Sequence, residues 1–255
     1  MNGYDWKNIN ADFVTKGLEV RNAGIMENYN GRLSLEEFLS IKADEIINAA
    51  NPVTANGNEI AIPFGNAQQN VHCYVQQNRA KGIFVKDKDI TFDAKKVENR
   101  FATVATRRGR IVGRAQNEIR NTVGTFYAQK KSKLSANRIV NEDLGVSSRM
   151  TVSHGQSSFF GMLLHYDLYT AELVKNSGRA EMIFGDGLKL SGSVHNIGSS
   201  IKSGGKIGIS DCSFIELRSV LSNCAEIGGT NIDIKTQKMH GIAMQLWSVK
   251  GELDD

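Results

Sequence analysis

The chain has 255 residues, 40% hydrophobic and 23% charged, a balance that supports a sizeable core and argues against wholesale disorder. No apolar run approaches the roughly 18 residues of a membrane-spanning helix. The polar start from Met1 to Lys7 lacks the apolar stretch of a secretory signal, and the three widely spaced cysteines, Cys73, Cys212 and Cys224, form neither a disulfide framework nor a CxxC pair. A soluble cytoplasmic protein, or an intracellular virion component, is expected, with no cofactor and no membrane partner.

In chain order, residues 8 to 28 read as a modest helix, with Val14, Leu18 and Ile25 on one side. Ser34-Leu-Glu-Glu37 has the form of a capping box, and Phe38, Ile41 and Ile46 extend a second helix to about Ala50. Pro52 and Asn56-Gly57 end it. A small antiparallel meander is predicted next, from Glu59 to Ile62, Val71 to Val75, Ile83 to Val85 and Ile90 to Phe92.

Asp93 is placed to cap a long helix over 94–129. A short helix is predicted from Ser135 to Leu144. A helix opened by Ser153-His-Gly-Gln156 and running to Asn176 is apolar nearly all round, including Leu164 and Leu168, and is therefore expected at the centre of the core. Gly185-Asp-Gly187 reads as a hairpin between Met182–Phe184 and Leu188–Val194. Lys206 to Ser210 is a strand, Ser213 opens a helix to Cys224, and Asn231 to Lys235 and Gly241 to Val249 are strands. No internal repeat is read. The fold class is thus α+β: antiparallel strands in a small meander and a C-terminal sheet, packed around a buried central helix, plus one long basic helix. A boundary near 178 separates a lobe over 1–178 from a β-rich lobe over 179–255, unless both form one continuous domain.

Net charge is +4 but unevenly spread. Arg79 to Arg138 holds 16 basic against 5 acidic residues, which leaves 15 basic and 22 acidic elsewhere. Such asymmetry points to an acidic partner. On the predicted 94–129 helix, Arg100, Arg107, Arg110 and Arg114 share a face, and Lys130 and Lys131 extend it. The planar guanidinium fork suits phosphate or carboxylate. These six residues are the candidate contact with nucleic acid or an acidic neighbour. Solvation, or pairing with carboxylates, is the competing account. Gly109 and Gly113 permit a close approach by another backbone or mark a kink. Tyr74, Phe84, Phe126 and Tyr127 are available to stack on bases, although packing is the commoner fate.

The loop from Gly198 to Lys206 lacks the phosphate-loop spacing, since Ser200 and Ile207 stand at required positions. His72, His154, His165, His195 and His240 show no zinc spacing. Cys73 with His154 is the one nucleophile–base pair to consider, and nothing local supports it. The expected function is a non-catalytic structural subunit of a larger assembly, viral or phage-like, that self-associates or joins a larger complex. The alternatives are a dedicated nucleic-acid-binding protein and a cysteine-dependent enzyme.

Overall fold

The computed structural model describes residues 4–56, 69–144, 146–159, 162–176, 179–220, 224–242 and 244–248; for 54–56, 69–75, 146–159, 162–176 and 248 only the backbone is described. Two compact units emerge, neither continuous in sequence. One joins residues 1–52, 77–143 and 178–255; the other joins 53–76 and 144–177.

The larger unit is a parallel β-solenoid of about nine turns. Its strands fall into three stacks, so each coil has three sides. One row of registered residues shows the first side: Phe13, Leu33, Ile83, Val104, Phe126, Met182, Ile201, Ile227 and Leu246 lie one above the next. The second side carries Val20, Ile41, Phe92, Gly113, Leu134, Leu190, Ile209 and Ile234. The third carries Trp6, Met26, Ile46, Val97, Ile119, Ile139, Val194, Ile215 and Met239. These rows point inward and form most of the core. Side chains next to them in sequence point outward, as the two-residue period of a strand requires.

Beside the third apolar row runs a polar one. Asn8, Asn28, Asn48, Asn99, Asn121, Asn141 and Asn196 stack in register, each 7% exposed or less. From Asn8 to Asn141, each amide Nδ2 donates to the Oδ1 of the next asparagine, over distances of 2.7 to 2.9 Å. Asn8, Asn28, Asn99, Asn121 and Asn196 also donate to the backbone carbonyl three residues on, as in Asn99 to Ala102 (3.0 Å) and Asn121 to Gly124 (2.9 Å), whereas Asn48 donates to Thr103 O and Asn141 to Ser200 O of the adjacent coil. A buried amide without partners is costly, whereas this ladder satisfies both ends of each group. The corner itself turns through a left-handed residue two places after the asparagine, at Asn10, Asn30, Phe101, Val123 and Gly198. Leu217 and Gly241 take the asparagine position in the last two coils.

The smaller unit is a four-stranded sheet. Val146–Phe159 pairs antiparallel with Met162–Asn176, which runs parallel to Gln69–Gln76, which pairs antiparallel with Val53–Asn56.

All regular elements among the described residues are strands, which corrects the α+β reading. Neither a long basic helix nor a buried central helix forms. The 94–129 segment is Ile90–Arg100, Thr103–Thr106, Ile111–Thr122 and Thr125–Ala128. The physical cause is a coincidence of periods. A three-sided coil of about 20 residues returns to the core about every seven residues, as Val97, Val104 and Ile111 do from three different sides. Seven residues are also two turns of a helix. The helices read over 8–28, 34–50 and 135–144 are the strands Asp12–Tyr29, Arg32–Ala49 and Ser132–Glu142. That read over 156–176 spans two antiparallel strands, and the side chains of Leu164 and Leu168 lie outside the described residues. The helix from Ser213 is replaced in part by the strand Ile215–Arg218.

The capping-box residues also have other roles. Ser34 faces outward beside Leu33 and Leu35, and Glu37 pairs with Lys16 (3.1 Å) and Lys88 (2.8 Å). Gly185-Asp-Gly187 is a solenoid corner: Glu181–Phe184 and Gly187–Ile197 pair with strands of adjacent coils rather than with each other. The strands Gly82–Val85 and Ile90–Arg100 are likewise parallel members of the solenoid, not a meander.

Candidate functional site

The outward side chains carry the chemistry, and corners decide where the basic residues stand. The corner between the first and second sides is built by Lys86–Asp89 in one coil, Arg107–Arg110 in the next and Gln129–Lys131 in the one after. Backbone bonds stack them: Lys88 N donates to Glu37 O, Arg107 N to Val85 O and Lys130 N to Gly109 O. This gathers Arg107, Arg110, Lys130 and Lys131 along one edge. Arg100 ends a strand on the third side, and Arg114 lies on the second side in register with Asp93 and Ser135. The single arginine face read from a helix therefore does not form.

Gly109 packs close to a backbone. A Cβ there would stand 1.9 Å from the carbonyl oxygen of Lys88, so the tight stacking of these corners requires glycine. At Gly113 the neighbour is a side chain, the ring of Phe92.

Charges of adjacent coils mostly alternate. Arg110 donates its backbone N and Nε to the carboxylate of Asp89, at 3.0 and 2.8 Å. Arg108 meets Asp87 (3.3 Å), Lys95 meets Asp44 (3.0 Å), and Arg120 bridges Glu118 (2.9 Å) and Glu142 (2.5 Å). Hydrogen bonds from Arg120 hold the Glu118 carboxyl below the usual carboxylate range against the opposing effect of burial. Arg100 sits 3.9 Å from Glu98. Arg107, Arg114, Lys130 and Lys131 show no ion pair among the described residues.

Phe84 and Tyr127 share an outward row with Val14, Ser34 and Ala105. Together with Arg32, Lys86 and Arg107 they border a shallow groove of about 370 Å³, and the Arg32 guanidinium lies 4.7 Å from the Phe84 ring centre. Phe126 points inward and is fully buried, so it is core. The side chains of Tyr74, Cys73, His72, His154 and His165 lie outside the described residues.

Two arrangements escaped the sequence reading because their members are far apart in the chain. His195 Nδ1 lies 2.9 Å from Glu216 Oε2 in the adjacent coil, and the same row continues to His240. Glu226, 8% exposed, accepts from Trp247 Nε1 (2.6 Å) and Lys202 Nζ (3.0 Å), with Arg179 at 3.7 Å. Burial pushes that carboxyl up, but the bonds from Lys202 and Trp247 bring it below its ordinary value. The Glu226 carboxylate is satisfied by these partners, which fits a clamp on the last coils, while the buried Nε of Arg179 beside it has no hydrogen-bond partner. The asparagine row was legible in principle, since Asn8, Asn28 and Asn48, and again Asn121 and Asn141, recur at 20 residues.

No group of histidine, cysteine and carboxylate among the described residues has the arrangement of a metal site, and no helix there is long and apolar enough to cross a membrane. Comparison with family models, with curated protein sequences and with solved structures gave no match.

Proposed function

We propose that the protein is a structural subunit that assembles through the C-terminal end of its solenoid, with the same end of a second copy as its neighbour. The observation that supports this is a set of inward positions that are exposed on the last described coil. Leu246 is 42% exposed although Ile227, Ile201 and Met182 below it in the same inward row are at 0%. Met239, at 37%, ends the row that holds Ile215 and Val194 at 0%. Met244, at 41%, stacks on fully buried Ala225. At the N-terminal end Trp6 packs edge-on against Phe13, with ring centres 6.1 Å apart, and Phe13 itself is 41% exposed.

Asn231–Thr236, Met239–Ile242 and Met244–Ser248 are each paired on one side only among the described residues. Such edges are templates for further pairing. Head-to-tail stacking of copies is the less favourable geometry. It would set Asp233 over Glu19, which begin and end one outward row, and would leave Asn8 facing Gly241 rather than another amide. A two-fold contact between C-terminal ends buries like apolar groups against each other and closes at two copies.

Light scattering across a range of protein concentrations tests the reading. The expected result is a dimer that Leu246→Lys together with Met239→Lys converts to a folded monomer. A wild-type chain that stays monomeric up to high concentration contradicts it.

A further inference from the structure

We infer that the second side of the solenoid carries an oxyanion-binding hollow centred on Gly208, suited to a phosphate or sulfate group. One outward row runs Glu19, Ser40, Thr91, Val112, Lys133, Lys189, Gly208 and Asp233. Lys133 and Lys189 are thus direct neighbours in adjacent coils, about 4.8 Å apart along the stack. Like charges in that position repel. Elsewhere, cations such as Lys88, Arg108, Arg110 and Lys95 stand against acids of the preceding coil. Lys131, Lys133, Lys189 and Lys235 break that pattern: none is in an ion pair among the described residues.

Beside this cation cluster the surface is hollow. A Cβ placed on Gly208 would meet nothing within 4 Å. The hollow measures about 290 Å³ and is bordered by Lys131, Lys189, Lys206, Lys235 and Asp233. The Lys131 stem crosses Gly187, with its Cγ 3.4 Å from where a Cβ would stand, next to Lys206 in the adjacent coil. Lys206 Nζ is held by Asp233 Oδ2 at 3.0 Å. That one acid faces four lysines, so the rim carries an excess of three positive charges. Ammonium groups are flexible point charges, which suits a tetrahedral oxyanion approached from several sides. The size of the hollow admits the anion with part of the molecule that bears it.

The test uses the full chain in chloride buffer and titrates inorganic phosphate by calorimetry, beside a short single-stranded oligonucleotide that offers the same group as a phosphodiester. Gly208→Val fills the hollow, keeps every lysine, and sits on a strand with free space, so it should fold. Lys189→Gln removes one charge. The expected result is saturable one-to-one binding of phosphate, weakened at least tenfold by each substitution. A parallel loss for the oligonucleotide would identify a polymer-borne phosphate as the source, and a loss for inorganic phosphate alone a free or small-molecule one. Absence of saturable binding to both probes overturns the inference, as does Gly208→Val binding like wild type, because charge without the hollow would then suffice.

Discussion

The ring of Phe92 occupies the space that a side chain on Gly113 would need. A Cβ there would lie 2.1 Å from Phe92 Cζ, and the two residues are register partners in adjacent coils. The same exchange recurs where Phe38 covers Gly17 and where Trp247 covers Gly228. An aromatic of one coil thus fills the place left by a glycine of the next, twice on outward rows and once in the core. Gly113→Val should destabilise by about 1–3 kcal/mol through overpacking. In combination with Phe92→Ala it should cost less than the sum of the two single changes, measured by urea denaturation. Strict additivity would mean that the two positions do not share the space.

The asparagine ladder should be sensitive in its middle. Asn121→Ala removes the acceptor of Asn99 and the donor to Asn141, and leaves buried polar atoms short of partners. The expected loss is about 3 kcal/mol. Asn137→Ala, at an exposed corner position, should change stability by less than about 0.5 kcal/mol. Equal effects at both sites would show that the ladder contributes nothing beyond a surface residue.

Strand positions were legible in parts of the sequence. Ile83–Val85, Met182–Phe184, Leu188–Val194, Lys206–Ser210 and Asn231–Lys235 all fall within strands. Their partners were not legible, because a parallel coil pairs residues about 20 apart and short-range alternation says nothing about what lies above or below. The hairpin read at Gly185–Gly187 fails for that reason. The long helix fails because Val97, Val104 and Ile111 imitate a helical spacing while facing the core from three sides. The repeat of Asn with a small residue three places on, as in Asn28 and Gly31, Asn99 and Ala102, and Asn121 and Gly124, was the missing signal. The two excursions at residues 53–76 and 144–177 interrupt its spacing between Asn48 and Asn99 and between Asn141 and Asn196. The basic segment was correctly seen as dense in charge, but the acids that meet Arg108 and Arg110 are 21 residues away and invisible to a local reading.

Phe101 holds a left-handed backbone, φ 54°, at the corner position where Asn10 and Asn30 stand in earlier coils. Left-handed geometry costs an ordinary residue about 1–2 kcal/mol and asparagine less. Phe101→Asn should therefore leave the melting temperature unchanged or raised, despite the loss of a half-buried ring. A fall of several degrees in a thermal melt would show that the ring's packing outweighs the strain.

Acid should weaken the solenoid. Glu118 and Glu226 both titrate below their ordinary value of 4.5 in the folded chain. A depressed carboxyl pKa gives stability that is fully present above the unfolded value and is lost as pH falls through the folded one. The melting temperature should decline as pH drops below about 4.5. Arg120→Gln, which removes the hydrogen bonds to Glu118, should lower stability at neutral pH and make that decline shallower. An unchanged slope in the variant would remove the Arg120–Glu118 pair from the explanation.

The stacked coils and their amide spine are tested most directly by hydrogen exchange of the asparagine side chains. In 15N-labelled protein transferred to D2O, the side-chain NH2 signals of Asn28, Asn48, Asn99, Asn121, Asn141 and Asn196 should persist long after that of exposed Asn137 has vanished. A buried ladder bonded from coil to coil can exchange only when the coils open. Loss of all these signals at the rate of Asn137 would contradict the solenoid and the ladder that runs through it.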